Sequence, residues 1–246
     1  MAATALRPLS LGEVLDVSFG LYRSRFGALA TVALVTQGLP LVLQVYVDAT
    51  GGSAEHLVFL VGVLILSVVT GVIGTAACTF IVSDAYLGRE SGAGAALARA
   101  MPLVGRLIVV SIMVSFLAGM GFILLIVPGL IIVAGLWVSP VVAVIESPGS
   151  ASEALSRSWK LTQGFRGKVF LSMFTGGLLL VVPAAAMAGL MVAGGGGAVV
   201  VSAGQAVLKI LVYPFLYVLA TVVYYDVRVR KEGFDLELLA STLQPA

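Results

Sequence analysis

Five apolar blocks, separated by short polar segments, limit the folds open to this chain more than any other feature. The blocks cover residues 26–47, 57–82, 107–145, 169–193 and 199–225. About 20 helical residues cross a hydrocarbon core of about 30 Å, so each block is long enough to span a membrane. Hydrophobic residues make up 60% of the chain and charged residues 11%, too few polar groups to cover a water-soluble surface. The sequence therefore predicts an all-α polytopic membrane helix bundle.

The third block is too long for one span. At about 1.5 Å per residue, a single helix over residues 107–145 would overshoot the bilayer by tens of ångströms. Pro128 and Gly129 are the helix-breaking pair near its middle, and they predict a tight turn between two spans. The prediction is six transmembrane helices in one membrane domain, residues 1–246.

The basic residues favour the same count. With six spans and a cytoplasmic N-terminus, thirteen of the fourteen Lys and Arg residues lie on the cytoplasmic side, as the positive-inside rule requires. The exception is Lys209, which lies within the last block. We predict a multi-pass protein of the cell membrane with both termini in the cytoplasm. The net charge of +2 follows from this topology and does not indicate nucleic-acid binding.

A short amphipathic segment precedes each pair of spans. These segments lie at residues 1–25, near 91–104 and near 150–164. The six spans and the second and third segments occupy residues 26–225, and residues 226–246 form a cytoplasmic tail. Ser10 with Glu13 and Ser150 with Glu153 have the spacing of a helix-capping box. Weak similarities among the segments predict a threefold repeat. In each unit the amphipathic segment would form a short helix, called an elbow, that is followed by one transmembrane hairpin.

Three acids end the even-numbered spans: Asp84, Glu146 and Asp226. A carboxylate at a helix C-terminus faces the negative end of the helix dipole and needs a compensating cation. We predict a ring of ion pairs with cations of the elbows, closed by residues that follow Asp226. The candidate cations are Arg23 or Arg25, Arg99, Arg157 or Lys160, and Arg228 with Arg230.

Two further groups of polar or small residues lie inside the spans. Ser67, Gly71, Thr75 and Thr79 recur every four residues, which predicts a helix-packing seam; a polar path for a substrate is the alternative interpretation. Gln205 and Lys209 form a candidate intramembrane polar site, because a charge at membrane depth is costly and marks function by default. The simpler interpretation is that Lys209 extends toward the outer interface.

Three motifs in order carry a resemblance that covers essentially the whole chain. They are LSLGEVLDVSFGLYRSRFG, VPGLIIVAGLWVSPVVAVIE followed by ALSRSWKLTQG, and TVVYYDVRVRKEGFDLELLA. Together they resemble the glycerophosphoryl diester phosphodiesterase membrane-domain family. The resemblance implies a polytopic bacterial membrane protein without an established activity, and no catalytic residues. The catalytic domain found in some members is expected to be absent.

No catalytic, cofactor-binding or metal-binding constellation is visible. The single histidine, His56, lies in a predicted outer loop, and the single cysteine, Cys78, lies inside an apolar block. The leading expectation is a non-catalytic membrane component, an accessory or scaffold subunit, with lipid, a membrane protein or a second copy as partner. The alternative is a transporter or lipid-handling protein, which requires a cavity lined by Gln37, Gln44, Gln205 and Lys209. A membrane enzyme ranks third.

Overall fold

The computed structural model describes residues 7–50 and 57–234, and this part of the chain is helical without strands. The helices are α1 Leu11–Ser24, α2 Phe26–Thr50, α3 Leu57–Tyr86, α4 Ala93–Ala100, α5 Val104–Leu124, α6 Ile126–Leu136, α7 Ser139–Ile145, α8 Ala151–Thr162, α9 Arg166–Ala193 and α10 Ala198–Glu232, with a 3-10 turn at Met101–Leu103 between α4 and α5.

Six segments of the described chain are long and apolar enough to cross a membrane, which confirms the predicted fold class. They are Phe26–Val47, Val58–Tyr86, Ala93–Leu124, Ile126–Ile145, Arg166–Ala193 and Val199–Glu232. The fourth span is built from α6 and α7, which are separated at Trp137 and Val138. The side of the membrane on which each end lies stays a prediction.

The turn within the third apolar block is not where the sequence places it. The chain reverses at Leu125, which has an extended backbone (φ −168°, ψ 160°), and α6 begins at the next residue. Pro128 lies in the first turn of α6, where its missing N–H costs no helical hydrogen bond. A Cβ on Gly129 would lie 2.5 Å from the Phe122 ring. Gly129 therefore permits close approach of α5 and α6 rather than forming the turn.

Short helices α1, α4 and α8 precede the pairs of spans, and we call them the elbow helices. At α1 the predicted capping box is present: Ser10 Oγ accepts from the Glu13 amide, and the Glu13 carboxylate accepts from the Ser10 amide at 2.7 Å. At α8 only half of it forms, because Glu153 accepts from the Gly149 amide instead. The order of elements fits three units, while the repeat itself stays a prediction.

The tightly packed core lies at the end of the bundle where the elbow helices are, which we call the elbow end. Tyr224 and Tyr225 of α10 are fully buried there, together with Ile81 of α3, Val142 of α7 and Leu161 of α8. Toward the other end, many side chains of α2, α3, α5 and α9 are exposed, and in a membrane protein such faces contact lipid or line cavities. The looser packing away from the elbow end leaves room for a binding site.

Candidate functional site

A cavity of about 260 Å³ lies between α2, α3 and α10. Its lining combines apolar side chains with polar groups from all three helices. The polar lining side chains are Thr36, Gln37, Gln44, Ser67, Lys209, Tyr213 and Tyr217. The cavity thus contains three of the four polar residues that the transporter or lipid-handling alternative requires. Ligand sites in proteins have this character, with a mostly apolar wall and a few convergent polar groups.

Measured along the helices, the cavity lies well inside the two spans that contribute its polar side chains. Lys209 follows the start of its span, Val199, by about 15 Å along the helix, half the thickness of a hydrocarbon core. Gln37 lies at a similar distance, about 16 Å, from the start of the first span at Phe26. Gln44 lies two turns further toward the end of that span. The polar lining therefore extends from mid-depth toward the end opposite the elbows.

Lys209 has no counter-ion among the side chains that the structure describes. The acids of the spans, Asp84, Glu146 and Asp226, form their ion pairs at the elbow end. No hydrogen bond or ion pair of Lys209 occurs among the described residues, although its side chain borders the cavity. An ammonium group at mid-depth is costly unless an anion or a polar partner solvates it. The fourth predicted cavity residue, Gln205, lies one turn away on α10, in an adjoining groove.

Sequence reasoning missed the two tyrosines of the cavity. Gln205, Lys209, Tyr213 and Tyr217 follow one another every four residues on α10, so they share one face of the helix. Tyr213 is 46% exposed, and it borders both the cavity and the groove that contains Gln205. The four-residue spacing was a readable signal. A polar stripe on one face of an apolar helix is the pattern expected of a cavity wall.

An elbow helix reaches the inner edge of this site. Pro214 lies inside α10 and has no N–H, so the carbonyl of Ile210, in the preceding turn, loses its helical donor. The Tyr22 hydroxyl of α1 donates to the Leu211 carbonyl in that turn. This bond attaches α1 to α10 beside the interrupted turn. Burial raises the pKa of Tyr22, so the hydroxyl keeps its proton for this bond.

The predicted packing seam of α3 lines the cavity as well as contacting neighbouring helices. Ser67 and Gly71 line the cavity. Ser67 and Thr75 donate to carbonyls of their own helix, at 2.7 Å to Val63 and 2.9 Å to Gly71, and the buried Thr79 hydroxyl has no partner in the described part of the chain. Thr75 also has a side-chain hydrogen bond with Tyr217 of α10, so the seam contacts a neighbouring helix at this position.

The close contact of α3 with α2 lies at Gly74 rather than at the predicted Gly71. A Cβ on Gly74 would lie 2.9 Å from Thr36 Oγ1, whose hydroxyl donates to the Val32 carbonyl. We expect Gly74→Ala to force Thr36 aside and to lower the free energy of unfolding by about 1 to 2 kcal/mol. Gly71→Ala is the control, because its Cβ would meet only Gln37 Nε2 at 3.9 Å. Equal thermal stability of both variants would contradict this packing.

At the elbow end, the structure brings the first predicted acid and cation together. Arg99 Nη1 of α4 donates to Asp84 Oδ2 at 2.7 Å, where α3 approaches its end. The Asp84 side chain is 10% exposed and that of Arg99 is 48% exposed. The guanidinium also lies 4.0 Å from the centroid of the Phe80 ring. The elbow α4 is thereby attached to the end of the span that precedes it.

The second acid, Glu146, pairs with Arg157 of elbow α8. Arg157 Nε donates to Glu146 Oε2 at 2.8 Å, and its Nη2 donates to Glu232 Oε2 at 2.7 Å. These bonds with Glu232 and Glu146 raise the pKa of the guanidinium, so it stays charged at any ordinary pH. The other candidate for Glu146, Lys160, is exposed. Sequence reasoning missed Glu232, although its i,i+4 spacing from Arg228 was a signal.

The third acid, Asp226, does not pair with a cation of an elbow. Its side chain is 1% exposed, Lys168 of α9 and Arg230 are its cations, and it accepts from the Leu9 amide at 2.7 Å. The reason is geometric: the start of α1 lies against α10, while Arg23 and Arg25 lie about 20 Å away at its other end.

Two of the candidate cations have other partners. Arg25 instead lies 3.9 Å from Glu90. Arg228 forms an ion pair with Glu232.

Three consecutive residues of α10 connect these acids. The Tyr224 hydroxyl donates to Glu146 Oε1 at 2.9 Å, the Tyr225 hydroxyl bonds Ser83 Oγ at 2.6 Å, and Asp226 binds the start of α1. We call residues 224–226 the α10 hub. Because Ser83 is adjacent to Asp84, the hub joins all three predicted acids to a single turn of helix. The three acids thus lie around α10, and the first two also have their own ion pairs with elbow helices.

The described residues contain no cluster of His, Cys, Asp or Glu that could hold a metal ion. His56 lies outside the described residues, and Cys78 is buried in the cavity wall.

Comparisons of the chain with protein-family models, characterised proteins and solved structures find no match. The resemblance to the glycerophosphoryl diester phosphodiesterase membrane-domain family stays a prediction, and the function is argued from the geometry of the site.

Proposed function

We propose that this protein is a non-catalytic multi-pass membrane protein that binds a ligand with an acidic group in the cavity between α2, α3 and α10, as a lipid-handling or transport protein. The observation that carries the proposal is Lys209, a cation at mid-depth that borders a polar cavity and has no counter-ion among the described side chains. An acidic ligand supplies the missing charge, and Gln37 and Tyr213 supply hydrogen bonds to it.

The geometry favours this function over an accessory or scaffold role. A scaffold subunit requires no polar cavity, and a charged residue left in the lipid would only destabilise it. The cavity wall also explains why Ser67 and Gly71 are small without being tightly packed, since larger side chains would fill the space. The predicted scaffold role has no comparable observation in its favour.

The test is retention of a small ligand during purification. The full chain would be purified in mild detergent, and bound molecules would be extracted and identified by mass spectrometry. We expect an acidic ligand in the unaltered protein and about 10- to 100-fold less in Lys209→Met, the loss expected for one charge-assisted hydrogen bond.

Lys160→Met is the matched control, since it removes the same charge from the exposed face of α8. It should retain the ligand fully. Equal retention in both variants would overturn the role of Lys209. Recovery of a stoichiometric protein partner without any small ligand would overturn the proposal and favour the scaffold function.

A further inference from the structure

A second space adjoins the cavity and differs from it in character. It is a groove of about 400 Å³ between α9 and α10. Gln205, Lys209 and Tyr213 are its polar lining residues, and the rest of the lining is apolar. Lys209 and Tyr213 also border the cavity, so the two spaces meet at these side chains. Any molecule that occupied both would have a polar part and an apolar part, with Lys209 at the junction.

The groove is bounded at both ends by contacts of small residues. A Cβ on Gly176 of α9 would collide with Leu219 of α10, and a Cβ on Gly204 of α10 would collide with Met191 of α9. The two helices therefore touch at these points. Between them, over about 22 Å of helix, the α9 wall consists of small or β-branched residues: Gly177, Val181, Ala184, Ala185 and Ala188.

These residues leave space where α9 and α10 would otherwise pack. Small residues in membrane helices usually bring two backbones into contact, but a Cβ on Gly177 would have no neighbour within 4 Å. Val181 is 62% exposed, so the groove is open to the lipid side. One lipid chain occupies half of a hydrocarbon core, about 15 Å, which fits within the 22 Å slot.

We infer that the ligand is a single-chain acidic amphiphile taken from the bilayer, with its carboxylate or phosphate at Lys209 and its chain in the groove between α9 and α10. This inference rests on the proposed function and adds the class of ligand and the place of its apolar part. Charge complementarity requires the acid, and the narrow apolar groove admits one chain. The remaining polar groups of the head reach the cavity beyond Lys209, toward Gln37.

The experiment measures binding of four amphiphiles with the same sixteen-carbon chain to the full-length protein in detergent. Palmitate and palmitoyl lysophosphatidate carry an acid, hexadecanol is neutral and hexadecylamine is cationic. We expect at least one of the acids to bind about tenfold or more tightly than the alcohol and the amine. A carboxylate and a phosphate head are distinguished by which acid binds better. Equal binding of acid and alcohol would overturn the inference.

The groove is tested with a pair of variants on α9. Ala184→Phe fills the groove, whereas Ala186→Phe places the same ring on the exposed face of the helix outside it. We expect about a tenfold or greater loss of binding in the first variant only. If Lys209→Met loses the ligand and Ala184→Phe does not, the inference fails while the proposed function stands.

Photo-crosslinking decides the question where Ala184→Phe does not fold. A palmitate with a photoreactive group at the end of its chain would be bound to the unaltered protein and irradiated. Labelled peptides from residues 177–188 of α9 or 205–216 of α10 are the expected result. Labelling confined to α2 and α3, or to α5 and α6, would overturn the placement of the chain.

Discussion

Asp226→Asn should lower the free energy of unfolding by about 3 to 5 kcal/mol, the largest stability change that we expect from any single substitution in this protein. The aspartate side chain is 1% exposed, and its two cations, Lys168 and Arg230, are 20% and 25% exposed. Asparagine keeps an acceptor for the Leu9 amide but removes the charge. Two partly buried cations would then lie together without a counter-ion.

Glu90→Gln is the control for this measurement. It also removes a carboxylate from an ion pair, but the Glu90 side chain is 90% exposed and lies 3.9 Å from Arg25. Solvent screens such a pair, and no measurable change in thermal stability is expected. If the two variants unfolded alike, the charge of Asp226 would contribute nothing measurable to stability.

The second large effect is expected at Arg157, which separates two carboxylates. Arg157→Met should lower the free energy of unfolding by about 2 to 3 kcal/mol, because Glu146 and Glu232, which are 21% and 28% exposed, would lose their shared cation. Lys160→Met on the same elbow is the control, since Lys160 is exposed.

A double-mutant cycle of Arg157→Met with Glu146→Gln isolates the interaction between the two side chains. Because the two residues are in direct contact, we expect a coupling energy of about 1 to 2 kcal/mol. The Tyr224 hydroxyl also bonds Glu146, so Glu146→Gln alone should be destabilising. An unchanged stability in Glu146→Gln would mean that the ion pair of Glu146 with Arg157 does not stabilise the elbow end.

The number of spans and the elbows could be predicted because they depend on length and charge, which are local properties. The turn at Leu125 could not, because Pro128 is equally suited to the first turn of a helix, and the choice between the two depends on the contact of Gly129 with Phe122. Likewise, the cations of Asp84 and Glu146 lie near them in sequence, as does the predicted Arg230 near Asp226. The second cation of Asp226, Lys168, lies 58 residues away and could not be predicted.

The candidate site was predicted only in part, because lipid separates polar from apolar helix faces less clearly than water does. In a water-soluble protein, the polar face of a helix contacts solvent and the apolar face packs in the core. In a membrane, lipid, a neighbouring helix and a cavity all accept small or apolar residues. The spacing of Ser67 and Gly71 therefore predicts a seam, although both residues border the cavity. Lys209 was recognisable because charge is the one property that lipid does not tolerate.

The α10 hub has a consequence for the biosynthesis of the protein. Its partners, Leu9, Ser83 and Glu146, are separated from it by 217, 142 and 78 residues of chain. The ribosome completes the hub last, so five spans must wait in the bilayer with Lys168 and the start of α1 unsatisfied. A nascent chain that stops before residue 224 lacks the hub and therefore cannot form the contacts of the elbow end.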